Sequence, residues 1–233
     1  MLPQLARLKR TALDFLFPCW CIGCGREGSL ICASCRQKLP EIEPPLCPQC
    51  GTPQPGGILC SICLNHKYAV DGIRSPFRFE GVVRQAIHHL KYKNLRAAAE
   101  PAAELLWFYL ADNPISGEVL VPVPLHRKRL RQRGYNQSEL LARELGKISR
   151  LPVVTDCLIR SRHASPQARA ASASQRQENV AGAFGCRNGS LKDKKVILVD
   201  DVATSGATLD ACAAVLKDGG AVSVWGLTLA REV

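Results

Sequence analysis

Four consecutive apolar residues, Val196 to Val199, stand between Lys195 and Asp200 and predict a buried parallel strand. The spacing then changes. LDACAAVLKDGG, residues 209–220, has a helical apolar period and two glycines where a helix stops. Asp200, Asp201 and VATSGAT therefore fall on a strand-to-helix turn, at the carboxyl edge of a parallel sheet, where ligands bind. Upstream, VLVPVP (119–124) reads as a strand ended by prolines and SELLARELG (138–146) as an amphipathic helix. GVVRQAIHHLKYKN (81–94) and AAAEPAAELLWFYLAD (97–112) are helical stretches, and YAVDGIRSPFRFE (68–80) reads as strands around a turn. VSVWGLTLAR (222–231) is the final strand. Residues 160–186 carry no large apolar side chain before Val180, which predicts a long flexible loop of the kind that acts as a lid.

The turn after the acidic pair has the chemistry of a phosphate cradle. Gly206 and Ala207 let backbone approach a ligand, Thr204, Ser205 and Thr208 offer hydroxyls, and amides at a helix start are unpaired and favoured by the dipole. Two carboxylates beside a phosphate need another partner. Vicinal sugar hydroxyls, or the magnesium that accompanies them, suit both acids. The bland alternative is that Asp200 caps a helix in an ordinary turn. No GxxxxGK[ST] run is present, so this is not a P-loop.

Nine of the twelve cysteines fall between positions 19 and 63. They include four CxxC pairs, Cys21/Cys24, Cys32/Cys35, Cys47/Cys50 and Cys60/Cys63, in a duplicated unit that opens each time with CxxCG. Two pincers make one tetrahedral thiolate site, so the duplication predicts two structural zincs. Sequential pairing follows from the repeat, and cross-bracing is the alternative. A disulfide scaffold needs an oxidising compartment. Residues 1–18 have a basic start, but Asp14 interrupts the apolar patch and no small-residue cleavage site follows, so they read as a short amphipathic helix rather than a signal peptide. The expected location is cytoplasmic. No run of apolar residues is long enough to span a membrane.

The formal net charge is +11, which two zincs on eight thiolates lower to +7. An anionic partner is implied. The densest positive stretch is HRKRLRQRG, with Arg127, Lys128, Arg129, Arg131 and Arg133 on another βα loop. Pyrophosphate and a nucleic-acid backbone both match the forked donors of arginine, and a solvated helix face is the bland reading. His88, His89, Lys91, Tyr92 and Lys93 read equally well as an exposed helix end or as ligand contacts.

The apolar strand, DDVATSGAT and helix together resemble the PRPP-binding signature of type I phosphoribosyltransferases. That resemblance implies that Asp200 and Asp201 hold ribose hydroxyls and act as the catalytic acids, and that Ala203, Thr204, Ser205, Gly206, Ala207 and Thr208 hold the 5′-phosphate, with Mg²⁺ arriving on PRPP. Taken with the duplicated CxxC units, FRFEGVVRQAIHHLKYKN and VPVPLHRKRLRQRGYNQSELLAREL, the chain looks like a member of the ComF family. The expected class is α/β, with a Rossmann-like type I phosphoribosyltransferase core on a parallel sheet and a small N-terminal four-cysteine zinc-ribbon head. The expected divisions are a short helix over 1–18, the zinc-binding head over 19–65, a hood-like segment over 66–117 and the core over 118–233. The hood follows from order alone. The family implies natural competence and handling of taken-up DNA, with single-stranded DNA and other uptake-machinery proteins as partners. Two functions compete: a phosphoribosyltransferase, and a DNA-binding competence factor whose PRPP site is a sensor or inactive. No residue identifies an acceptor base.

Overall fold

In chain order the strands are β1 (Gly72–Arg74), β2 (Phe77–Arg78), β3 (Val119–Pro122), β4 (Leu158–Arg160), β5 (Phe184–Cys186), β6 (Lys195–Ala203) and β7 (Ser223–Arg231). The computed structural model describes residues 19–161, 182–187 and 189–233. The helix expected over 1–18 and most of the expected lid lie outside the described residues. Five strands form one parallel sheet in the order β1–β7–β6–β3, with β2 also paired to β7. β4 and β5 form a separate antiparallel pair.

The helices are α1 (Ala33–Arg36), α2 (Ser61–Leu64), α3 (Gly81–Tyr92), α4 (Ala99–Asp112), α5 (Arg127–Arg133), α6 (Gln137–Ser149) and α7 (Ala207–Asp218). They cover both sheet faces, which explains why β6 reads as an unbroken apolar run. Its alternate residues divide between the faces. Val196 and Leu198 meet Leu209, Cys212 and Leu216 of α7, while Ile197 and Val199 meet Ile87 of α3, Leu106 of α4 and Leu141 and Leu145 of α6.

Two expectations need adjusting. Order alone assigns 66–117 to a hood and starts the core at 118, yet β1 and β2 lie in the central sheet on β7. This segment therefore completes the sheet before α3 and α4 pack on one face. The two strands pair with β7 and not with each other, and between them the buried Ser75 hydroxyl sits 2.6 Å from Thr228 Oγ1. β6 is also longer than its apolar run. Its ladder with β7 continues through Val202↔Ala230 and Ala203↔Arg231, so the acidic pair lies inside the strand. Backbone pairing to a long neighbour, rather than side-chain polarity, sets where β6 ends. No helix among the described residues is long and apolar enough to cross a membrane.

Candidate functional site

Successive side chains of a strand diverge, so the two carboxylates reach different partners. Asp200 turns to the start of α6. There Asn136 caps the helix, its Oδ1 accepting the Ser138 N–H at 3.1 Å while its Nδ2 donates to the Val123 carbonyl at 3.0 Å. That cap fixes Ser138, whose Oγ donates to Asp200 Oδ1 at 2.7 Å; the Asp201 N–H donates to the same oxygen at 2.9 Å. Burial, followed by the neighbouring Asp201 charge, pushes the Asp200 carboxyl up to about 6, against the opposing pull of Ser138 and Lys91.

Asp201 turns to α3. It is 3% exposed, and its Oδ1 lies 2.8 Å from the Lys91 ammonium. Its Oδ2 is buried with no hydrogen-bond partner among the described residues. Burial works against the Lys91 charge, yet Asp201 and then Asp200 outweigh it and hold this ammonium above its ordinary value. Asp201 thus has one oxygen paired with Lys91 and one buried without a partner among the described residues, an arrangement that calls for explanation.

Beyond the pair, the expected phosphate residues divide. Ala203 is the last residue of β6, buried, with its carbonyl accepting the Glu232 N–H at 2.9 Å. Gly206 caps α7 in the left-handed region at φ 80°, and a Cβ there would lie 2.7 Å from Ile73 Cδ1. Its φ favours glycine, and the Ile73 methyl packs directly against it. Ser205 Oγ accepts the Ala207 N–H at 3.5 Å, and Ala207 begins the helix. Thr204 and Thr208 face the cavity.

The basic stretch is a helix, α5, rather than an open loop. Gly134 ends it at φ 79°, and the His126 ring nitrogen accepts the Lys128 N–H at its start. One helical turn separates Arg129 from Arg133, so both are half-buried, while Arg127, Lys128 and Arg131 are exposed. The cluster therefore points two arginines inward and three cations outward.

These parts surround one cavity of about 310 Å³. Its walls carry Asp200, Asp201, Thr204, Thr208, Arg129, Arg133, Lys91, Ser138 and Arg160. Lys91, Tyr92, Arg129 and Arg133 also line an adjoining cavity of about 480 Å³ with Asn94, Gln132 and Tyr135. Arg133 stacks over the exposed Tyr92 ring at 5.5 Å.

The head holds the eight expected thiols in two groups, Cys21–Cys24–Cys32–Cys35 and Cys47–Cys50–Cys60–Cys63, each with its sulfurs within 4.8 Å of one another. Pairing is sequential. The Cys24–Cys32 and Cys50–Cys60 sulfur separations are 3.6 and 3.7 Å, close to the roughly 3.8 Å edge of a tetrahedron with Zn–S of about 2.3 Å. Burial opposes ionisation of Cys47, but amides of Cys50, Cys60 and Gln49 win and bring its thiol to about 6. Four sulfurs, with no fifth ligating side chain grouped with them among the described residues, fit structural zinc in each ribbon.

Two family models match the chain: a double zinc ribbon domain over residues 12–64 and a phosphoribosyl transferase domain over residues 130–231. Over 217 residues the chain is 30% identical to the competence protein ComFC of Bacillus subtilis (strain 168), covering 87% of this chain and 84% of that one. The chain belongs to the ComF family. Over 203 residues it is also 29% identical to the DNA utilization protein YhgH of Escherichia coli (strain K12), covering 84% and 88% of the two chains. Among solved structures, a glutamine PRPP amidotransferase from B. subtilis aligns at 19% identity and a TM-score of 0.38, over 55% of this chain and 26% of that chain.

In this ComF-family chain, sequence reasoning missed two contributors, Ser138 and Arg160, and left Lys91 open between an exposed helix end and a ligand contact. Lys91 carried a signal: it follows Val83 and Ile87 at successive four-residue steps, so it lies on the buried stripe of α3 rather than on an exposed end. Ser138 was visible only as a residue near a helix start. Arg160, at the end of β4, reaches the cavity through the β4–β5 pair, which has no periodic signature of its own.

Proposed function

We propose that the chain binds Mg²⁺-PRPP in the cavity between β6, α5 and α6, and that it serves in the handling of taken-up DNA. The observation that supports this reading is the convergence of three chemistries on one cavity wall. Asp200 and Asp201 suit vicinal ribose hydroxyls, Thr204 and Thr208 with the start of α7 suit the 5′-phosphate, and Arg129 with Arg133 suit pyrophosphate. Transfer needs little covalent work from the protein. An acceptor nucleophile forms a bond to ribose C1 as the bond from C1 to the pyrophosphate oxygen breaks, and the two arginines offset the negative charge that develops on the leaving pyrophosphate. The barrier falls through positioning and charge neutralisation. Mg²⁺ would add further charge on the pyrophosphate oxygens. Ser138 orients Asp200, and Lys91 pairs with Asp201 and holds it in place.

Single-stranded DNA is the second ligand of this reading. Arg127, Lys128 and Arg131 face outward beside the cavity mouth, and the names of the curated relatives concern competence and DNA utilisation. Affinity is expected to fall with salt at a log–log slope of roughly −0.7 per phosphate contacted, and alanine at all three positions is expected to flatten that slope. No binding at low salt refutes the DNA part.

The deciding assay offers Mg²⁺-PRPP with a panel of bases, nucleosides and single-stranded DNA and follows pyrophosphate. Release with one acceptor identifies a transferase. Binding without release under every condition leaves a DNA-handling factor that senses PRPP, and absence of PRPP binding defeats the reading.

A further inference from the structure

The second zinc ribbon is joined to the turn that the proposed function uses for phosphate, by two routes. The first runs through β1. The Gln49 carbonyl, inside the Cys47–Cys50 pincer, accepts the Ile73 N–H at 2.8 Å, and Gly51 lies so close that a Cβ there would sit 2.5 Å from the Ile73 carbonyl oxygen. Ile73 is fully buried, and its Cδ1 abuts Gly206, where an added Cβ would lie 2.7 Å away. The second route runs through the chain that follows the Cys60–Cys63 pincer and is tied back to the ribbon by Gln49. Asp210, in the first turn of α7, accepts the Ala69 N–H at 2.6 Å and the Val70 N–H at 3.2 Å, while Gln49 Nε2 donates to the Val70 carbonyl at 2.5 Å. The first ribbon makes different contacts: Gly23 packs on Val82 of α3, and Arg36 pairs with Glu104 of α4 at 3.2 Å.

We propose that the second ribbon is a positioning element of the ligand site: zinc on Cys47, Cys50, Cys60 and Cys63 holds Ile73 against Gly206 and the Ala69–Val70 amides against Asp210, and so sets the turn that receives a ribose phosphate. Ile73 acts through Gly206 and touches no ligand. Loss of zinc from this ribbon weakens ligand binding by about tenfold, the range in which packed networks transmit coupling. The first ribbon lacks both routes and has a much smaller effect.

The inference rests on the proposed PRPP site, and its test has a readout that needs no ligand. Hydrogen exchange at amides 204–210 is measured on the full-length protein as wild type, as the Cys60→Ser/Cys63→Ser pair, as the Cys32→Ser/Cys35→Ser pair and as Ile73→Val, which removes only the methyl that meets Gly206. Zinc content and Mg²⁺-PRPP affinity are measured alongside. The expected result is about tenfold faster exchange at 204–210 in the second-ribbon pair and in Ile73→Val, with a smaller change in the first-ribbon pair. Loss of PRPP affinity should follow the same order, and Ile73→Leu, which restores a terminal methyl, should recover part of it. Equal exchange in wild type and Ile73→Val overturns the proposal, even where the cysteine pairs fail to fold. An equal effect from both ribbons overturns it too. A wild type that binds no PRPP ends the functional reading and leaves the exchange data to judge the coupling.

Discussion

The two zinc ribbons are nearly the same object in different surroundings. Each has a left-handed glycine after its first pincer, Gly25 at φ 71° and Gly51 at φ 73°. In each, an amide from the second pincer reaches a sulfur of the first: Cys32 to Cys21 at 3.4 Å and Cys60 to Cys47 at 3.5 Å. Each also has a hydroxyl 3.2 Å from a sulfur, Ser34 on Cys32 and Thr52 on Cys50. The surroundings then diverge. Cys24 of the first ribbon is exposed, whereas Cys47, Cys50 and Cys63 of the second are buried and Cys60 is half-buried. Thr52 of the second also accepts from the buried Arg231 at 2.9 Å, at the end of β7. Metal coordination dictates the knuckle; what the knuckle packs against decides what the ribbon supports.

The sharpest way to break this comparison is to remove the metals in turn. A chelator is expected to empty the first ribbon, with its exposed Cys24, while the sheet still melts cooperatively, and to lower core stability only as the second zinc leaves. Zinc content read against the melting curve tests this, and loss of both metals in one step contradicts it. The next effect is smaller. Thr52→Val removes the oxygen that pairs a buried guanidinium and is expected to cost about 1–3 kcal/mol in denaturant unfolding. Arg36→Ala breaks an exposed pair on the first ribbon and is expected to cost less than about 1 kcal/mol. Equal costs would erase the distinction.

The repeat itself was fully legible. CxxCG spacing encodes both the number of sites and the glycine at each turn, and the apolar runs of β3, β6 and β7 encode a sheet buried on both faces. The anchoring was not legible. Gln49, Ile73 and Asp210 are ordinary residues whose contacts join positions from 21 to 141 residues apart in the chain, and no local pattern records such distances. Lys91 illustrates the same limit. The helical period places it on the buried stripe, but only the fold identifies Asp201 as its partner. The basic stretch was legible as a cluster, whereas its division into Arg129 and Arg133 inward and three cations outward required the helix. The expected ends of β6 and of the core missed because β7 and β1 supply pairing that apolar periodicity does not encode.

A separate effect is a pH dependence on the ligand side of the second ribbon's grip. Asp200 in the folded chain titrates at about 6, above its ordinary 3.8. A raised carboxyl favours the folded state when protonated, so its contribution is fully present below 3.8 and is lost as pH rises through about 6. Wild type is therefore expected to lose stability across that window relative to Asp200→Asn, which carries no titrating group there. Parallel melting temperatures from pH 4 to pH 7 would contradict the burial of this acid.

Asp200 also gives the cleanest access to the site, because Asp201→Asn would strand the half-buried Lys91 charge and confuse folding with binding. Calorimetry of Mg²⁺-PRPP with wild type and Asp200→Asn, at equal zinc content, tests the ribose site most directly. A hydrogen bond to a charged group contributes roughly 1.5–3 kcal/mol, so the account predicts binding by wild type and binding about ten- to a hundredfold weaker by the variant. Equal affinities, or no binding by wild type, would contradict it.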